Sequence, residues 1–308
     1  MQNVVIALDG STASIGAAEL LAHLPHSDRM NLVVLSVVQR PFIHSSYASG
    51  ELLEKAFERD KAFAKETYAK VAEMFEGANV TIEHQLQEGP IGESIVNVAN
   101  TRKADLVVLG AKGHSQIGRL LLGSVSDHVA THAPCSTLIV RPTGLHDQPR
   151  PIRVCLAYEK SGSAVAALEE IAEIPWRTGT DFHLLSVETY LSDFIGQRVV
   201  DEGLEMTTRY QEDMREAKDQ LASIAPDAQT HSFNSDLVGD GIVSFAEDNK
   251  VVLPVFGETP RSMVNRFLLG STSRYVLRHA PCSVWVTRNR MIHGVDKDES
   301  ESRSTPVS

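Results

Sequence analysis

The chain of 308 residues repeats itself once, and that duplication limits its architecture more than any other feature. The stretch VVLGAKGHSQIGRLLLGSVS, which carries Gly110, Gly113, Gly123 and Ser124, returns as VVLPVFGETPRSMVNRFLLGSTS, with Gly257, Gly270 and Ser271 in the matching places. Gly110 and Gly257 stand 147 positions apart, as do Gly123 and Gly270, Pro134 and Pro281, and Cys135 and Cys282. Near the start of each copy the offset is 150, which pairs Asp9 with Glu159, Ser11 with Ser161 and Ser36 with Ser186. A deletion of three residues between the two regions reconciles these values. Self-similarity of this length is a duplicated domain, because solenoid repeats run to only about 20–50 residues.

Within each copy, short β-branched runs alternate with amphipathic helical stretches, the pattern of a parallel sheet covered by helices. The first copy predicts strands near Val4–Leu8, Leu32–Val38, Thr81–Gln87, Asp105–Leu109 and Thr137–Val140. Leu53, Phe57, Ala64, Tyr68, Val71 and Phe75 recur at helical spacing and predict one long helix. Ile91, Ile95, Val98 and Ala99 predict another, opening after Gly89-Pro90. The second copy predicts strands near Arg153–Ala157, Phe182–Val187, Thr230–Phe233, Val251–Phe256 and Val284–Thr287, with its long helix over 201–224. The fold class is therefore α/β, with a first domain over residues 1–143 and a second over 151–289. TGLHDQPRPIR reads as the linker, and the charged, serine-rich residues 290–308 read as a mobile tail.

Composition narrows the class. A hydrophobic share of 42% and a charged share of 22% are those of a soluble globular chain, and each half is long enough to bury its own core. The formal charge of −11 argues against nucleic acid or a membrane surface as partner, since both favour a basic face. No apolar run reaches the length of a membrane span, and MQNVVIALDG enters a strand at once without a leader pattern, so a cytoplasmic location is expected. Three cysteines, an odd number without a C-x-x-C pair, are expected to be reduced, buried and structural.

The glycine passage carries the chemistry. Open parallel sheets bind ligands beyond the carboxyl ends of their strands, where the winding direction reverses. Asp9 ends the first strand and Gly110 the fourth, so both line such a crevice if the strands are neighbours. Gly110 and Gly113 permit positive φ and close approach of a ligand. Gly123-Ser124 opens the next helix, whose unpaired N–H groups and partial positive charge suit phosphate oxygens. The alternative is two turns and a helix start without a ligand, with Asp9 serving only as a turn or capping residue.

The spacing Gly110, Gly113, Gly123-Ser124, with LDGS after the first strand and HAPCSTLIV closing the copy, resembles the ATP-binding class of the universal stress protein family. The resemblance covers both copies. It implies five-stranded parallel sheets of order 3-2-1-4-5, and a tandem member whose two domains pair as the homodimer of single-domain members does, with further homodimerisation an option. Their last strands would then meet edge to edge. It also implies a ligand, ATP or a related adenine nucleotide, with or without magnesium. Asp9 would meet the ribose or the adenine end, the Val37 backbone would hydrogen-bond adenine, and Gly110 would lie near ribose. Gly113, Gly123, Ser124, Val125 and Ser126 would cradle the phosphates. Lys112, His114 and Arg119 are either further phosphate contacts or a solvated loop.

The second copy departs from this pattern. Pro260 stands at the place of Gly113, lacking an N–H and with fixed φ, and Glu258 adds a negative charge where the first copy has Ala111. Glu159 keeps the carboxylate of Asp9 on a longer stem, while Gly257, Gly270 and Ser271 remain. A degenerate second site is expected, one left to folding, pairing or another ligand. His128 and His132 lie four apart on a predicted helix, but without the glutamate of a zinc motif they read as solvated or capping, so no metal site is expected. No residues are assigned to catalysis, because no acid–base pair is evident beside the loop and no G-x-x-x-x-G-K-[ST] is present. The expected function is regulatory nucleotide binding in a stress response; the competing reading is a slow ATP hydrolase or nucleotide-transferring enzyme, whose warrant is limited to Asp9, His114 and Ser124 beside the phosphate loop.

Overall fold

The computed structural model describes residues 1–26, 28–40, 50–113, 122–142, 152–176, 180–189, 200–258 and 269–288. Residues 143–151 of the linker, the tail, His114, Arg119 and Pro260 lie outside the described residues. The chain divides into two compact units, Met1–Gln148 and Pro149–Ser308.

Unit 1 runs β1 (Asn3–Ala7), α1 (Thr12–His23), β2 (Met30–Val38), α2 (Gly50–Met74), β3 (Val80–Glu88), α3 (Ile91–Thr101), β4 (Leu106–Gly110), α4 (Ser124–His132) and β5 (Ser136–Val140). Its strands are ordered β3-β2-β1-β4-β5, all parallel, with Val4 in register with Leu32 on one side and Leu106 on the other. Strands β1, β4 and β5 are buried along most or all of their length because helices cover both faces. Helices α1 and α2 lie on one face, against β4 and β2–β3, while α3 and α4 pack together on the other.

Unit 2 repeats the plan: β6 (Arg153–Ala157), α5 (Gly162–Ala172), β7 (Asp181–Thr189), α6 (Val200–Leu221), β8 (Gln229–Ser235), α7 (Val238–Asp248), β9 (Leu253–Gly257), α8 (Ser271–His279) and β10 (Val284–Thr287). Read from β8, its order is β8-β7-β6-β9-β10, the same 3-2-1-4-5 order, again parallel. The α/β fold and the tandem repeat expected from the sequence are therefore present in both units.

Several expected boundaries shift by one to three residues, the end of the long helix of unit 2 from 224 to Leu221 among them, and two of the shifts share a cause. The apolar run beginning at Val251 does not start a strand there; β9 begins at Leu253. Lys250 takes a positive φ of 53° at the end of α7, and Val251 and Val252 are buried in the turn that follows, with the Val252 N–H donating to the Arg153 carbonyl at 3.0 Å. Unit 1 makes the same turn at Lys103, φ 49°, which moves the start of β4 to Leu106. Burial made these runs resemble strands, whereas the backbone uses them to leave a helix. Of the cysteines, none forms a disulfide; Cys135 and Cys155 are buried, while Cys282, expected to be buried, is only half-buried, because it follows the exposed Pro281 in the turn before β10.

Candidate functional site

In unit 1 the chain reverses its winding between β1 and β4, which opens a crevice beyond their carboxyl ends. Asp9 lies there, exposed, one residue beyond Leu8. Its Oδ1 accepts the Ser11 N–H at 3.0 Å and the Ser11 hydroxyl at 2.6 Å, a tight turn that leads into α1. Ser11 then caps the helix by accepting from the Ser14 N–H at 3.3 Å. Asp9 is thus both a turn residue and part of the crevice wall.

The cavity encloses about 1000 Å³, and Asp9, Val37, Gly113, Gly123, Ser124, Val125 and Ser126 all line it. Gly123 is the N-cap of α4, and its own N–H is engaged by the Ala111 carbonyl at 2.8 Å. The N–H groups of the first helical turn, from Ser124 onward, therefore supply that end of the crevice with its positive character. The Ser126 hydroxyl is buried and donates to the Gly110 carbonyl at 2.8 Å, which ties the helix start to the end of β4.

The glycines act differently from the sequence expectation. Neither Gly110 nor Gly113 adopts positive φ; among the described glycines that conformation belongs to Gly10, Gly77 and Gly89. A Cβ on Gly110 would stand 2.8 Å from the Ala13 carbonyl carbon and 2.9 Å from its Cβ, so this glycine lets β4 end against the first turn of α1. Gly110 does not line the cavity, and neither does Lys112. Gly257 repeats the arrangement more tightly against the Ser163 backbone, which explains why both copies have glycine there. Gly113 is exposed, and a Cβ on it would run into the Asp9 carboxylate, so the loop passes directly over that side chain.

Other wall residues escaped the sequence reading. Ser36, Arg40, Asp60, Phe63, Thr67 and Gly89 also line the cavity. Gly10, with φ +76°, leaves space that the Phe63 ring fills, and yet Phe63 remains 45% exposed. The signal was present in α2, where Asp60, Phe63 and Thr67 form a second face at spacings of three and four, beside the apolar stripe that dominated the pattern. Arg40 lies over the Phe57 ring at 4.7 Å and pairs with Glu88 at 3.3 Å, which holds its guanidinium at the rim.

The crevice of unit 2 encloses about 340 Å³ and is lined by Glu159, Gly257, Gly270 and Ser271, together with Tyr158 and Glu258. Gly270 is the N-cap of α8 and Ser271 its first residue. Lys160, matching Gly10, donates to Asp213 at 2.7 Å and Glu216 at 2.8 Å; Asp213 matches Phe63. These hydrogen bonds push the Lys160 ammonium above its ordinary value, and burial together with the Asp213 carboxylate pushes the Tyr158 hydroxyl up. Where unit 1 has a glycine and an exposed ring, unit 2 ties the β6–α5 turn to α6 with charge.

His128 and His132 stack at 4.3 Å on α4, and His132 Nδ1 lies 2.8 Å from the His128 carbonyl. Tyr275 and His279 stack in the same way on α8 at 4.1 Å, which makes this a packing arrangement of the fold. Among the described residues no cluster of three or more His, Cys, Asp or Glu is placed to hold a metal ion, and no helix is long and apolar enough to cross a membrane.

Comparison with known proteins agrees with the repeated fold. The model of the universal stress protein family matches residues 1–141 and again 152–288. A universal stress protein of Methanocaldococcus jannaschii is 32% identical over 142 residues, which is 46% of this chain and 82% of that one. A relative from Staphylococcus aureus is 31% identical over 144 residues, 46% of this chain and 84% of its own length. Among solved structures, a universal stress protein from Archaeoglobus fulgidus aligns with a TM-score of 0.61 at 19% identity, covering 93% of this chain and 98% of that one. A protein of unknown function from Pseudomonas aeruginosa aligns at 0.60 and 16% identity, covering 98% of each chain. The curated relatives match about half of this chain, while these two structures span nearly all of it. Two family matches, one on each compact unit, establish that the chain belongs to the universal stress protein family as a tandem member with two copies of the domain.

Proposed function

We propose that unit 1 binds ATP or a related adenine nucleotide in its crevice, and that occupancy regulates the stability or the partner surface of the protein in a stress response. The observation that carries this reading is the convergence of Asp9, Val37, Gly113 and the first turn of α4 on one cavity of about 1000 Å³, a volume at the upper end of small-molecule sites. The base and ribose would lie toward Asp9, Val37 and Phe63. The phosphates would meet the N–H groups of Ser124, Val125 and Ser126, with any magnesium arriving on the phosphates themselves. Lys112, His114 and Arg119 are candidates for additional charge at that end, and Gly110 serves by bringing α1 against β4 rather than by touching the ligand.

Unit 2 keeps the fold and the helix start at Gly270-Ser271, and its role in this reading is folding and pairing with unit 1 inside the chain. A ligand that binds only the native state stabilises it by about 2.7 kcal/mol at a hundredfold excess over its dissociation constant. The test is thermal unfolding with and without ATP, combined with mass spectrometry of any small molecule released from the purified protein. An ATP-dependent rise in melting temperature is expected; no rise at millimolar ATP together with no released adenine nucleotide would sink the proposal. Hydrolysis is read in the same samples as phosphate release. Turnover that vanishes on substitution of Ser124 and Gly123 would instead favour the enzyme.

A further inference from the structure

Glu258 occupies the position of Ala111, and its carboxylate makes two bonds that alanine cannot. Oε1 accepts the Gly270 N–H at 2.6 Å, and Oε2 accepts from Arg288 Nη2 at 2.6 Å. The side chains are 6% and 9% exposed, so this is a buried ion pair. Gly270 caps α8, which puts the carboxylate at the positive end of that helix, and Glu258 also lines the unit 2 crevice. In unit 1 the matching Gly123 N–H is taken by the Ala111 backbone carbonyl instead.

We propose that Glu258 is a resident anion: a tethered carboxylate that holds the N-cap N–H of α8 and, lining the same crevice as Ser271, Thr272 and Ser273, keeps a phosphate group from the first-turn N–H groups in unit 2. The proposal rests on the reading of that helix start as an oxyanion seat. A side chain fixed beside its partners competes at an effective concentration far above that of any free ligand. A phosphate entering this crevice would also face a buried like charge, which opposes binding. Unit 2 thereby has its anion built in and turns phosphorylated ligands away. The Lys160 clamp to Asp213 and Glu216 ties the β6–α5 turn to α6 independently of Glu258.

Both tryptophans, Trp176 and Trp285, belong to unit 2, so tryptophan fluorescence during heating reports the unfolding of that unit. In Glu258→Ala, Arg288 keeps its buried place but loses this carboxylate. The fluorescence melting temperature in chloride is expected to fall by on the order of 10 °C. Inorganic phosphate at equal ionic strength should restore at least half of that loss, while the unsubstituted protein gains nothing beyond its response to chloride. Melting unchanged by the substitution, or a loss that phosphate does not recover, would overturn the proposal. If the alanine variant does not fold, Glu258→Gln carries the test. It keeps an acceptor for Gly270 without the charge, and phosphate must raise its melting temperature several degrees more than that of the unsubstituted protein, or the proposal fails. Failure of ATP to bind unit 1 leaves this outcome untouched, because the probe is phosphate and the signal comes from unit 2.

Discussion

The two units share strand order, helix starts and the close approach of the fourth strand to the first helix, yet they differ at matched positions around the crevice. Lys160 stands at the position of Gly10, Asp213 at that of Phe63, and Glu258 at that of Ala111. The first unit keeps a cavity of about 1000 Å³; the second, with an acid at its helix start, keeps about 340 Å³. The lesson is that one glycine motif holds two kinds of residue. Gly110 and Gly257 belong to the fold, because backbone lies where a Cβ would go. Gly113 belongs to the crevice, and its counterpart Pro260 shows that the fold does without a glycine there.

Substitutions can break this comparison, beginning with the glycines it assigns to the fold. Gly257→Ala should cost about 3 kcal/mol, because overpacking against backbone cannot be relieved by a rotamer change. Gly110→Ala should cost less, its nearest contact being 2.8 Å. Denaturant unfolding followed by tryptophan fluorescence for unit 2 and by circular dichroism for the whole chain measures both. Equal stability of either variant and the parent would remove the fold assignment.

Gly113→Pro should leave stability nearly intact and eliminate the stabilisation by ATP, about 2.7 kcal/mol at a hundredfold excess. A variant that still shifts with ATP would show that the loop over Asp9 is not part of the binding surface. Phe63→Ala should weaken nucleotide binding by about 1 kcal/mol, roughly fivefold, if the exposed ring stacks on the base. Titration calorimetry reads this, and unchanged affinity would return Phe63 to the role of a rim residue packed on Gly10.

The smallest effect sharpens the comparison through pH. Burial, then the neighbouring His183, hold His231 below its ordinary value; burial, then Lys65, do the same for His84 in unit 1. His183 Nδ1 lies 2.8 Å from His231 Nε2, and its other nitrogen is 3.2 Å from the Asp181 carboxylate. A base with a depressed folded-state value binds fewer protons when folded. Its contribution is therefore complete above about pH 6.5 and is lost as pH falls below that value. His231→Gln, which installs the residue found at Gln85 in unit 1, should flatten the tryptophan melting curve against pH in that acidic range. An unchanged slope would assign the acid sensitivity to other groups.

Much of this architecture was legible in the residues. The β-branched runs marked the ten strands to within a few positions, since buried parallel strands must be apolar on both faces. Val251 misled because a buried turn and a buried strand have the same composition. The crevice was readable where it depends on backbone, at Asp9, Gly113 and Gly123-Ser124. It was hidden where it depends on side chains from elsewhere in the chain: Phe63 entering over Gly10, Arg40 reaching the rim, and Arg288 meeting Glu258 across 30 positions.

By itself the sequence determined the duplication, the α/β class, the family and the identity of the residues that differ between the copies, because these reside in spacing and local pattern. Only the tertiary structure decided what each difference does. Gly110 proved to be a packing glycine without positive φ, and Glu258 a buried acid seated at a helix start. The reason is that steric contact and charge pairing depend on distances between residues far apart in the chain, and folding sets those distances.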